Sequence, residues 1–104
     1  MSDIALIHAT FADAAEAERI GYAMVEARLA ACVNLLGPCR SIYRWQGAVE
    51  RGEEHRALFK TTPELARELV DAIAVQHSYD LPVIEIWPVA AGDAAADWVR
   101  VETR

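Results

Sequence analysis

The chain has 104 residues, of which 54% are hydrophobic and 25% charged, so we expect one domain, residues 1–104, with enough apolar side chains for a core. Ten basic and sixteen acidic side chains give a formal net charge of −6, and the basic residues are scattered, which argues against a nucleic acid partner. No apolar run is long enough to cross a bilayer and no cationic leader is present. A cytoplasmic protein without a membrane partner is therefore predicted.

The N-terminal part of the chain predicts a strand followed by an amphipathic helix. Residues 3–9 form a short apolar run with β-branched members, which is long enough for a strand and too short for a helix. Asp13 and Glu16 have the spacing of a capping box, so a helix is expected to begin there. Apolar residues then recur every three or four positions as far as Ala31, which gives this helix one buried stripe.

Residues 32–61 predict a long β-hairpin. A glycine and a proline at 37–38 interrupt its first arm and indicate a bend or bulge. We place the tip at residues 51–53, which leaves arms of similar length, with residues 46–47 as the rival tip. The charged side chains from Glu50 onward would then crowd the tip. An arm of about nine residues is roughly 30 Å long and projects beyond so small a domain.

The C-terminal part of the chain predicts a second helix, a strand and a short final helix. Thr62 and Pro63 are a capping hydroxyl and a first-turn proline. A loop is expected at 77–81, a strand at 82–89, and a terminal helix from Gly92. The order is that of an α+β, ferredoxin-like split β-α-β-β-α-β sheet with a long extended hairpin and a short C-terminal helix. Right-handed crossovers would make the first and third strands central.

The projecting hairpin also predicts association between copies of the chain. An isolated two-stranded ribbon is only marginally stable in water, and edge strands attract further chains. We therefore expect copies to pair through these arms, the alternative being a monomer whose ribbon folds over its own core. The aromatic residues Tyr43, Trp45 and Trp87 are predicted to pack at the interface rather than to form a stacking platform for a ligand.

Five segments of the sequence carry a resemblance to a known family: Leu-Ala-Ala-Cys-Val-Asn (29–34), Ser-Ile-Tyr-Arg-Trp-Gln-Gly (41–47), Lys-Thr (60–61), His-Ser-Tyr-Asp-Leu-Pro (77–82) and Trp-Pro-Val (87–89). Together they resemble the CutA-type divalent-cation tolerance family over nearly the whole chain. The resemblance implies a ferredoxin-like subunit in a very stable trimer built through the long hairpins. It also implies a bacterial cytoplasmic protein associated with tolerance of copper and other divalent ions, without an established catalytic reaction.

Five positions depart from the pattern that this family usually shows. In the loop, Ser78 stands where the family has proline, and Asp80 and Val83 stand where it has glutamate. In the hairpin, Gln46 and Ala48 replace a glutamate and a lysine. A metal site that used the missing acids would be weakened.

Cys32, His77 and Asp80 are the candidate metal ligands. Thiolate and imidazole are the ligands that copper and zinc prefer, and the resemblance puts Cys32 and His77 near surfaces between subunits. The ion would be Cu(II) or another divalent cation, and none is expected to be required for folding. Packing of Cys32 in a strand and a helix-capping role for His77 stay open as alternatives. Cys32 and Cys39 are predicted to be free thiols.

Lys60, Tyr79 and Glu85 are candidate pocket residues. With the family fold, they would line a polar cleft between subunits beside His77 and Asp80. We interpret His8 and His55 as residues with ordinary structural roles. No phosphate loop, dinucleotide fingerprint or nucleophile elbow is present. We predict a non-enzymatic trimer linked to divalent-metal response; the alternatives are a small-molecule-sensing trimer like the nitrogen-regulatory PII proteins and a purely structural scaffold.

Overall fold

A four-stranded antiparallel sheet organises the computed structural model, which describes residues 1–104. The elements in chain order are β1 (Ser2–Phe11), α1 (Ala14–Glu26), β2 (Cys32–Trp45), β3 (Ala48–Thr61), a 3₁₀ turn (Pro63–Leu65), α2 (Ala66–Gln76), β4 (Ile84–Ala91) and α3 (Asp93–Glu102). The strand order is β2-β3-β1-β4, so the first and third strands are central. The predicted ferredoxin-like split topology is confirmed. None of the three helices is both long and apolar enough to span a membrane.

Helix α1 begins as predicted but ends earlier. The Asp13 carboxylate accepts a hydrogen bond from the Glu16 amide at 2.8 Å, while the Glu16 carboxylate reaches back to the amide of Ala12 at 3.1 Å. The helix ends at Glu26 because Arg28 takes a positive φ of 61° and turns the chain. The predicted continuation of its buried stripe to Ala31 is wrong, since that residue packs in a separate apolar cluster.

The two faces of the sheet are covered unequally. Helices α1 and α2 pack on one face and enclose the main core, whose largest members are Ile7, Phe11, Ile20, Phe59, Leu69 and Ile73. Helix α3 lies on the opposite face and covers only one end of it, where Ile4 contacts Ala96 and Val99. Most of that second face is therefore left without a protein layer.

The hairpin turns at Gln46 and Gly47, so the tip placed at residues 51–53 is wrong. These two residues have φ values of 50° and 83°, the positive values that a two-residue hairpin turn requires. Gly52 instead lies within β3, opposite Ser41. The charged residues after Glu50 consequently run along the arm, and Trp45 lies at its end.

Each arm of the hairpin is a strand of 14 residues, longer than predicted, and the molecule measures 45 × 24 × 21 Å. The interruption at Gly37 is confirmed as a shift of register after Leu35, and Gly37 itself has a φ of 89°. Glycine adopts this conformation without the steric cost that a Cβ would add.

Candidate functional site

The uncovered face of the sheet carries most of the polar and aromatic residues singled out above. Residues opposite one another in antiparallel strands point to the same side of a sheet. The register therefore places Tyr43, Trp45 and Trp87 together on the side away from α1 and α2. We call the part of this side that α3 leaves free the open face; its central residues are Leu6, His8, Thr10, Arg56, Leu58, Lys60, Glu85 and Trp87.

A chain of hydrogen bonds crosses the open face through His8. The Arg56 Nε donates to His8 Nε2 at 3.0 Å, which assigns the imidazole proton to Nδ1. That nitrogen donates to Glu85 Oε1 at 2.7 Å. The Trp87 indole stacks on the imidazole, with ring centroids 5.4 Å apart and planes 8° from parallel. We refer to Arg56, His8 and Glu85 as the triad.

Lys60 and Glu85 lie on the open face but do not bond each other. The Lys60 ammonium donates to the Asn34 side-chain carbonyl at 2.7 Å, while Glu85 belongs to the triad. Tyr79 lies elsewhere, in a cleft that neither of these charged residues lines. Within one chain the structure therefore does not form the predicted pocket of Lys60, Tyr79 and Glu85.

That cleft has a volume of about 590 Å³ and lies between the hairpin and the segment after α2. Tyr79 and Asp80 form one wall, with Val83, and Tyr43 and Trp45 form the other. The Tyr79 hydroxyl donates to Glu54 Oε2 at 2.9 Å. Burial, together with this carboxylate, raises the pKa of Tyr79 well above its usual value, so its hydroxyl remains a neutral donor in the cleft.

His77 holds the segment after α2 against β1. It is 9% exposed, its Nε2 donates to the Thr10 carbonyl at 2.8 Å, and its Nδ1 accepts from the Tyr79 amide at 3.0 Å. The ring also stacks on Phe11 at 4.9 Å. Both ring nitrogens are thus engaged, and the side chain joins a loop to a strand instead of capping the carbonyls of α2.

Glu16 fastens the same segment from the other side. Its carboxylate accepts a hydrogen bond from the Ser78 amide at 2.9 Å as well as the one from Ala12. Burial alone would raise the pKa of Glu16, but the hydrogen bonds from Ser78 and Ala12 outweigh it and hold that pKa below its ordinary value. The departure at Ser78 therefore has a structural use, since proline has no amide proton to donate.

The three candidate metal ligands lie apart in the single chain. Cys32 lines an apolar groove of about 330 Å³ between α1 and β2, beside Tyr22, whereas Asp80 lines the cleft and His77 is buried under β1. No group of three or more His, Cys, Asp or Glu side chains in the structure could hold an ion. These residues do not fit a metal centre within one chain. Cys32 and Cys39 are free thiols, as predicted.

The strand order, the one-sided helical layer and the long ribbon define a ferredoxin-like α+β protein with an uncovered sheet face. Comparison with known proteins then gives the family. Residues 5–102 match the family model of the CutA1 divalent ion tolerance protein, and the chain belongs to this family.

Three relatives match over nearly their full lengths. The divalent-cation tolerance protein CutA of Pectobacterium atrosepticum is 37% identical over 105 residues, covering 100% of this chain and 96% of its own. The CutA crystal structure from Xylella fastidiosa superposes with a TM-score of 0.94 at 35% identity, covering 99% and 100% of the two chains. The periplasmic divalent cation tolerance protein CutA of Archaeoglobus fulgidus gives 0.91 at 34% identity, covering 95% and 97%.

Proposed function

We propose that this member of the family acts in divalent-cation tolerance as a homotrimer and catalyses no reaction. The observation that carries the proposal is exposed apolar surface on the sheet and ribbon: Trp87 is 40% exposed and Trp45 45% on the side of the open face, and Ile42 is 78% exposed on the other side of the ribbon. Large apolar side chains exposed on a small protein mark a contact with another chain. The number of three comes from the resemblance to the family.

The two edges of the sheet support a closed ring of copies. Strand β2 forms one edge and β4 the other, so each copy offers unpaired backbone groups on two different strands. Contacts between unlike edges are head-to-tail, and such contacts close into rings of identical subunits when the rotation allows.

Sedimentation at micromolar concentration tests the assembly. We expect a particle of three times the 11.5 kDa chain mass, and Trp45→Asp should dissociate it because the new charge would be buried in an apolar contact. Val75→Asp is the matched control, since this valine is 85% exposed on α2, away from the open face. A wild-type particle of 11.5 kDa would overturn the proposal, and an intact Trp45→Asp trimer would exclude the ribbon from the contact.

The state of two of the three imidazoles supports the absence of catalysis. Both nitrogens of His77 and both nitrogens of His8 are engaged in hydrogen bonds, so neither ring could take a proton from a substrate without first losing one of these partners. Hydrolysis assays with ester, phosphate and peptide substrates should give no turnover above that of a heat-denatured sample.

The ion-binding part of the proposal assigns weak binding of Cu(II), or another divalent cation, to Cys32, His77 and Asp80 contributed by different copies. Binding through His77 would break one of its hydrogen bonds, which keeps the affinity low. In titration calorimetry, Cys32→Ser should lose the copper heat and Cys39→Ser should retain it. Copper heat that is unchanged in Cys32→Ser, His77→Gln and Asp80→Asn would contradict this ligand set. Removal of ions with EDTA should leave the Tm unchanged.

Small-molecule sensing, as in the PII proteins, is the second candidate, and the cleft favours it. Its volume of about 590 Å³ is in the range of small-molecule sites, and Tyr79 supplies a fixed donor. Calorimetry with a panel of nucleotides and metabolites tests the idea. A signal that is lost in Asp80→Asn and kept in Asp71→Asn would support sensing, and no heat from any compound would exclude it for that panel.

A cytoplasmic location completes the proposal. Two free thiols suit a reducing compartment. Because the Archaeoglobus relative is described as periplasmic, fractionation of the source cells is the decisive measurement, and recovery in the periplasmic fraction would contradict the proposal.

A further inference from the structure

His8 lies at the centre of the open face between a cation and an anion. On β3 it faces Arg56, with Lys60 and Glu54 further along the same side of the strand, and on β4 it faces Glu85 and Trp87. Of these charged groups only Arg56 and Glu85 bond its ring, at 3.0 and 2.7 Å. Its side chain is only 14% exposed, whereas that of Glu85 is 46% exposed.

The hydrogen bonds allow only one site of protonation. In the neutral ring Nδ1 carries the proton and Nε2 is the acceptor, so a second proton can bind only at Nε2. Among the side chains, histidine is the one that in general changes its charge between about pH 5 and pH 8. The new Nε2–H would then oppose the Nε–H of Arg56, donor against donor and cation against cation. Arg56 must move away, while the bond to Glu85 becomes an ion pair.

We propose that protonation of His8 weakens the contact between copies of the chain. The neutral ring holds Arg56 through its hydrogen bond, and the protonated ring releases it; we call this switch the latch. This inference rests on the proposed homotrimer. With His8 neutral, the charges of Arg56 and Glu85 cancel within the triad. Protonation adds one positive charge to a surface that a second copy would cover, beside Leu58 and Trp87. A buried charge without a partner is costly, so the assembly loses stability as the pH falls.

The test measures the dissociation constant of the trimer by sedimentation between pH 7.5 and pH 5.5. We expect a rise of about tenfold or more in the wild type, because a charge that has lost its partner costs more where a second copy covers it than in the free chain. In His8→Asn the amide still donates to Glu85 but cannot take up a proton, so this rise should disappear. His55→Asn is the control and should retain the rise, because it removes another of the chain's three histidines and leaves the triad in place.

The outcomes separate the latch from the assembly. A full acid response in His8→Asn, or none in the wild type, overturns the latch. If His8→Asn fails to assemble at pH 7.5, Arg56→Gln takes its place, since it removes the cation and should reduce the response. If the wild type is monomeric at pH 7.5, the assembly proposal fails. NMR of the Arg56 Nε–H then decides whether acid releases Arg56 within one chain: the resonance must shift between pH 7.5 and pH 5.5, and an unchanged resonance overturns that release.

Discussion

Glu16 is a buried carboxylate on which two backbone segments depend. It is 7% exposed and accepts from the amides of Ala12 at 3.1 Å and Ser78 at 2.9 Å. Glutamine at this position has one acceptor oxygen, so its NH₂ group would oppose one of the two amides. Leaving a buried donor unsatisfied costs about 1 to 3 kcal/mol. For a domain of about 100 residues this lowers Tm by at least about 4 °C.

Thermal unfolding followed by circular dichroism measures this effect, with Glu18→Gln as the control because Glu18 lies exposed on the same helix. The folded pKa of Glu16 is held below its ordinary value. Its stabilisation is therefore present above the pKa of an unfolded glutamate and is lost as the pH falls through the lower folded value. The gap in Tm between the wild type and Glu16→Gln should narrow in that range. Equal Tm values for the two variants at pH 7 would refute the reasoning.

Three further substitutions test the core, the turn and the cleft. Phe59→Ala should cost about 3 to 5 kcal/mol in a urea titration, because Phe59 is fully buried; a loss below 1 kcal/mol would contradict its place in the core. Gly47→Val should cost about 1 to 3 kcal/mol in the same assay, because φ is 83° there, whereas Gly52→Ala, with only ordinary contacts, should be tolerated; equal losses would contradict the turn assignment. Tyr79→Phe removes the donor to Glu54 and should lower the free energy of unfolding by about 0.5 to 1.5 kcal/mol. An unchanged free energy of unfolding would contradict this hydrogen bond.

The elements of the fold could be predicted because each leaves a local signal. The capping pair at Asp13, the proline after Thr62 and the glycine before α3 mark helix starts that the structure retains. The hairpin tip was missed because equal arm length favoured Gly52, although length says nothing about φ. Backbone conformation decides the turn, and of the two candidate tips only the one at Gln46 and Gly47 has the required positive φ values.

The candidate site was less predictable because its contacts depend on strand register. His8 is 48 positions from Arg56 and 77 from Glu85, and a shift of one residue would turn these side chains to opposite faces. For the same reason, the sequence could not show that Lys60 and Tyr79 lie in different parts of the single chain. Glu16 was recognised as a capping residue, but its bond to Ser78 joins residues 62 positions apart, which no local pattern records.

The open face joins assembly to the chemistry of the triad. Trp87 both exposes apolar surface and stacks on His8, so a chain that covers the indole also controls the access of solvent to the imidazole. Removing water strengthens every interaction between charges there, which makes the opposed donors of a protonated triad more costly in the assembly than in a free chain. For a histidine at the polar rim of the sheet, the cost of protonation would be the same in the assembly as in a free chain. In the proposed trimer, the position of His8 at the centre of the face is therefore what would allow one proton to affect the contact between whole subunits.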